Sequence, residues 1–177
     1  MRSTLFLCLA VMLLLLSSCS PPASEPAKTE PAPDAAAPAP AAPTSPHAGT
    51  WTLNVAKSTY TPGPAPKSQT LKIEAWGEDG LTYVADGVGG DDKPTHSEFQ
   101  AKFDGKDYEF KGNPDADTLS YKQVDPNTLE ATLKRKGTAV ITANVVVSAD
   151  GKTRTVTQIG KNAAGKDVKI VSVYEKS

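Results

Sequence analysis

The sequence predicts an all-β fold, an antiparallel up-and-down meander of about 8–10 strands that closes into a barrel. Three observations carry this. Turn signals recur roughly every 10–14 residues across the second two-thirds of the chain. The runs between them are rich in β-branched and aromatic residues, and several alternate apolar with polar residues, the period-two signature of a half-buried strand. No segment there sustains a 3.6-residue period, so almost no helix is expected.

Ten candidate strands follow in order: 50–56, 68–76, 80–86, 94–103, 107–111, 117–124, 127–136, 138–148, 152–160 and 166–175. The first carries Trp51, a large flat side chain suited to plug the tapered end of a barrel, where it buries on the order of 200 Å². The loop Ser58 to Lys67, with Pro62-Gly63-Pro64-Ala65-Pro66, separates it from the second. That strand puts Leu71, Ile73 and Ala75 on one face, and Asp79-Gly80 turns it into the third. The third holds Tyr83 and Ala85 and is expected to turn at Asp86-Gly87, opening the Gly-rich connection Asp86 to Pro94.

In the fourth strand, Ser97, Phe99, Ala101 and Phe103 face away from Glu98, Gln100 and Lys102. Asp104-Gly105 leads to the fifth, with Tyr108 and Phe110, and Asn113-Pro114-Asp115 to the sixth, with Tyr121. Asp125-Pro126-Asn127 starts the seventh, where Leu129, Ala131 and Leu133 share a face. The basic triplet Lys134-Arg135-Lys136 stands before a turn glycine, where such charges serve solubility and edge protection. Asp150-Gly151 and Ala164-Gly165 bound the last two strands, which end on Ile170, Ser172 and Tyr174. A ten-stranded open meander would leave two exposed edges, and closure removes both.

The residues before this domain read differently. Met1-Arg2 is followed by an apolar run, Leu5 to Leu16, of signal-peptide length and shorter than the about 20 residues a membrane span requires. Leu16-Ser17-Ser18-Cys19 then resembles the lipobox of bacterial lipoproteins. The resemblance implies cleavage after residue 18 and acylation of Cys19 (palmitate and related chains), and Ser20 favours the outer membrane, facing the periplasm. Two or three acyl chains anchor a protein firmly where one is marginal. Residues 19–47 form a Pro/Ala-rich linker with nine of the chain's 15 prolines in Ser20 to Pro46 and no large apolar residue; it is expected to be extended and disordered, with His47 at its end. The domain is 48–177. Its acidic and basic residues are equal in number, because Arg2, Lys28, Glu25, Glu30 and Asp34 precede it, which argues against a nucleic-acid partner.

The domain's ends, Gly49-Thr50-Trp51 and Val173-Tyr174-Glu175-Lys176, resemble calycins, the lipocalins and fatty-acid-binding proteins. That resemblance implies a ligand-binding barrel. Fatty-acid-binding proteins place an arginine two residues before the tyrosine to grip a carboxylate; Ser172 stands there in this chain, and the helical lid between the first strands is replaced by the proline loop.

Ligand-binding candidates on inward faces are Tyr83, Phe99, Phe103, Tyr108, Tyr121, Ser172 and Tyr174, with Phe110 and Ile170 beside them. Small inward residues, Ala85, Ala101, Ala131 and Ala143, leave room for a cavity. Catalysis is not expected. The domain's lone His96 falls with Glu98 and Gln100 on the polar face, acylation consumes Cys19, and neither a cofactor nor a metal site is expected. Asp86 to Asp92 lacks the order of a calcium-binding EF-hand loop. The sequence therefore points to a lipid-anchored envelope protein that binds a small apolar or amphipathic ligand. The alternative is a filled barrel that meets an envelope protein partner, as an inhibitor does, through the loops Ser58 to Lys67 and Asp86 to Pro94. An enzyme comes third.

Overall fold

The computed structural model describes residues 45–177. The signal segment, Cys19 and nearly all of the proline-rich stretch lie outside the described residues.

Eleven strands make one sheet: β1 (Gly49–Leu53), β2 (Thr59–Thr61), β3 (Ser68–Ala75), β4 (Gly80–Val88), β5 (Pro94–Lys102), β6 (Tyr108–Lys111), β7 (Thr118–Asp125), β8 (Thr128–Arg135), β9 (Thr138–Val147), β10 (Thr153–Lys161) and β11 (Asp167–Lys176). From β3 onward each pairs antiparallel with the next. β1 pairs with β3 on one side and β11 on the other, which closes the barrel.

β1 and β2 are two halves of one strand. Both pair with β11, β1 at Trp51↔Lys176 to Leu53↔Tyr174 and β2 at Thr59↔Val171 to Thr61↔Lys169. The barrel is thus ten-stranded. The first predicted strand, 50–56, breaks at Asn54 because a 3-10 turn, Val55–Lys57, interrupts it. The Asn54 side chain accepts from the Lys57 N–H, and Ser58 Oγ donates to the Asn54 carbonyl while accepting from the Val173 N–H, so the break leaves these backbone groups satisfied. Among the described residues there is no α-helix.

The expected turn at Asp86-Gly87 is corrected. Both residues lie within β4, which runs to Val88, and the turn falls on residues 89–93. Glycine is needed at 87 for space: a Cβ there would stand 2.3 Å from the Ser68 carbonyl oxygen of β3.

Inward faces match the alternation in the sequence except at Ala75, which is exposed at the end of β3. Leu71 and Ile73 of β3, Leu129, Ala131 and Leu133 of β8, and Ile141, Ala143, Val145 and Val147 of β9 are all buried. The up-and-down path defines two ends. One gathers the β3–β4, β5–β6, β7–β8 and β9–β10 turns with the incoming chain, and is called the stem end here. The other, the loop end, gathers the remaining hairpin turns and the proline loop.

Candidate functional site

Inward side chains that do not fill the barrel leave a cavity of about 220 Å³. Its loop-end rim is made by Tyr60, Pro66, Gln69 and Asn113, and its inner end by Leu71, Leu119, Val145 and Arg154. One wall is aromatic. The rings of Tyr83 and Phe99 stack at 4.5 Å, Phe110 meets Phe99 edge-on at 5.1 Å, and Tyr121 tilts against Phe99 at 5.7 Å. These are neighbours across β4, β5, β6 and β7, since Tyr83 pairs with Phe99 and Phe99 with Phe110. The opposite wall carries polar groups. Tyr174 Oη donates to Gln69 Oε1 at 2.6 Å, and the Tyr60 and Ser172 hydroxyls share a bond of 3.0 Å.

Five of the seven sequence-derived candidates, Tyr83, Phe99, Tyr121, Ser172 and Tyr174, line this cavity together with Phe110 and Ile170. Phe103 and Tyr108 do not. Phe103 lies just past the end of β5 and packs edge-on against Tyr121. Tyr108 starts β6 beside the stem-end turn, where its hydroxyl donates to Asp104 at 3.1 Å. Both stand beside the β5–β6 turn, at the stem end, outside the lining of the cavity.

Trp51 is fully buried and closes the stem end rather than lining the cavity. Its Nε1 donates to the His47 carbonyl at 3.0 Å, and the Lys176 ammonium sits 5.0 Å from its ring. His47 is itself completely buried, which corrects its placement in the linker: the folded part reaches back past Ala48. Composition could not show this, since a single histidine after a proline-rich run carries no periodicity.

Arg154 is a cavity-lining residue that sequence reasoning missed. It is the second residue of β10, is only 1 % exposed and lines the inner end of the cavity. Its Nη1 donates to His47 Nδ1 at 3.3 Å, while its Nε finds no partner. The signal was present but ambiguous. Arg154, Val156 and Gln158 share one face of β10 and Thr155, Thr157 and Ile159 the other, so polarity does not choose between them. In the structure the arginine points in and Ile159 is 57 % exposed.

Burial and the adjacent guanidinium push the His47 imidazole down to about 4, against a smaller opposite pull from Asp125. Burial raises the Tyr83, Tyr121 and Tyr174 hydroxyls above the ordinary phenol value. All four side chains are neutral at pH 7, so the charge at the inner end of the cavity is that of Arg154.

Outside the barrel, His96 is exposed and bonded to Asp86 at 2.7 Å, with Glu98 beside it on the outer face. His96 and Glu98 therefore do not enter the lumen. Asp91 and Asp92 pair with Lys93 and Lys67, and among the described residues no group of three or more histidines, cysteines or carboxylates is placed to hold a metal. In the basic triplet, Lys134 pairs with Asp107 at 2.8 Å and the Arg135 guanidinium donates to the carbonyls of Pro114 and Asp115.

No protein-family model matches the chain, and no curated protein matches it. Solved structures do. A point mutant of the fluorescent protein UnaG superposes with a TM-score of 0.50 at 17% identity, over 75% of this chain and 96% of that one. The fold is a calycin-like barrel. Wild-type UnaG gives 0.49 at 17% identity, over 74% of this chain and 97% of that one. A zebrafish ileal bile acid-binding protein complexed with cholic acid gives 0.45 at 12%, over 75% and 100%.

Proposed function

We propose that this protein is a lipid-anchored binding protein of the bacterial cell envelope, which holds one small apolar or amphipathic molecule inside its barrel. The observation that carries the binding reading is the internal cavity, walled by aromatic rings on one side and by hydroxyl and amide groups on the other. Such a wall buries an apolar body while a few polar groups orient it. The binding needs no cofactor. Among the described residues, the exposed large apolar side chains Val55, Val124, Val146 and Ile159 lie off the two loops that an interaction module would use. The anchor would be the acylated Cys19, and the proline-rich stretch would hold the barrel away from an outer membrane whose inner face it serves.

Two measurements test this. Native mass spectrometry of the chain from Ser20 onward, purified from a bacterial envelope without detergent, should show an extra mass that denaturation removes. A bare mass that persists after incubation with envelope lipid extract would defeat the binding reading. Metabolic labelling with palmitate should mark the full chain and not the Cys19→Ser variant; equal labelling of both would defeat the anchor.

A further inference from the structure

The inner end of the cavity holds a buried cation without a counter-charge. Among the described residues the Arg154 guanidinium meets only neutral groups, the His47 imidazole and the Tyr121 hydroxyl; its Nε has no partner and it forms no ion pair. The tyrosines around it are uncharged. Leaving a guanidinium out of water and unpaired is costly, and the usual remedy is a carboxylate on a neighbouring strand. Arg154 faces Val147 on β9 and Tyr174 on β11, neither of which supplies one.

We propose that Arg154 is the head-group site of the cavity, and that the ligand is an amphiphile with a single anionic group, such as a carboxylate, and a small apolar body. This rests on the cavity-binding reading above and names its ligand class. The anion would meet the guanidinium at the inner end, while the body lies toward the rim against Phe99 and Phe110. At about 220 Å³ the cavity falls below the roughly 300–1,000 Å³ that receives drug-sized ligands, so the body is a medium-length chain or one or two rings.

His47 has a positioning role in this site. Its Nδ1 lacks a proton and accepts from Arg154, and its carbonyl is held by Trp51, so it fixes the guanidinium without cancelling its charge. A carboxylate at position 47 would fix the same group and neutralise it. That difference makes the proposal testable apart from folding.

The probes are decanoate and decanol, which differ in the charged head, titrated calorimetrically into the chain from Ser20 onward after removal of bound lipid. Wild type should bind decanoate tighter than decanol by on the order of tenfold or more, as expected for charge-assisted hydrogen bonds in a dry site. Arg154→Met, which replaces the cation by an apolar side chain of similar length, should bind both probes alike. His47→Asp should melt no lower than wild type yet lose the preference, whereas His47→Gln, which keeps a neutral acceptor, should retain it. Equal binding of both probes to wild type, or an undiminished preference in Arg154→Met, would overturn the head-group site and leave cavity binding standing. A preference that survives His47→Asp would overturn the positioning role. Binding of neither probe would remove the cavity-binding reading and this proposal with it.

Discussion

His47 shows how much a single side chain can hold. It ties the incoming chain to the barrel floor through Trp51 and Arg154, and it does so as a neutral imidazole. The unfolded chain protonates this histidine near its ordinary value of 6.5, while the native state resists until about 4. Between these values the unfolded state binds more protons, so stability falls as pH drops, by about 3 kcal/mol over the whole window. Arg154 on β10 and Asp125 at the end of β7 are the charged groups that face it. His96 acts in the opposite sense, since Asp86 raises its value and its contribution fades as pH rises above that range, but it is exposed. Urea unfolding at pH 7.0, 5.5 and 4.5 should therefore show falling stability in wild type and a much flatter profile in His47→Gln. None of this was legible in the residues themselves. Histidine after a proline-rich run reads as linker, and Arg154 sits in a strand whose two faces are equally polar. Trp51, by contrast, could be assigned a structural place because a large aromatic beginning a barrel has few other sites.

At the scale of elements, the strands were legible wherever one face was consistently apolar. β5 and β8 follow the alternation of their residues closely, and β3 does so as far as Ile73, beyond which Ala75 is exposed. The errors lie where backbone geometry decides. Asp86-Gly87 has turn chemistry, yet its glycine answers a close approach between β3 and β4. The split of the first strand depends on Asn54 and Ser58 bonds to neighbours far along the chain, which no local window contains. The β8–β9 hairpin is a case where turn chemistry and geometry agree. Lys136 and Gly137 have φ of 49° and 78°, the pair of left-handed residues that a two-residue hairpin requires. Lys136 tolerates this with its N–H bonded to Asp117 at 2.8 Å. Nothing lies within 4 Å of a Cβ built on Gly137, so Gly137→Ala should cost backbone strain alone, about 1–2 kcal/mol in urea unfolding, with ligand binding unchanged.

For the molecule as a whole, period-two patterning specifies strands and their faces but says nothing of closure. The need to hide two sheet edges, together with the resemblance of both chain ends to calycins, supplied that part. β11 pairs with both halves of the broken first strand, and the residue after it reaches across the seam: the Ser177 N–H donates to the Thr50 carbonyl at 3.0 Å, and its hydroxyl bonds Thr52 at 2.8 Å. Where the two ends of a chain lie on adjoining strands of a closed meander, sequence order becomes cyclic order. The β11–β1 seam lacks a covalent connection but already carries the hydrogen bonds of any other seam. The barrel is therefore indifferent to where its chain starts. Joining Ser177 to Ser45 through a short Gly/Ser linker and cutting between Asp150 and Gly151, in an exposed turn, should give a circular permutant with the same circular dichroism, a cooperative melt and the same ligand affinity.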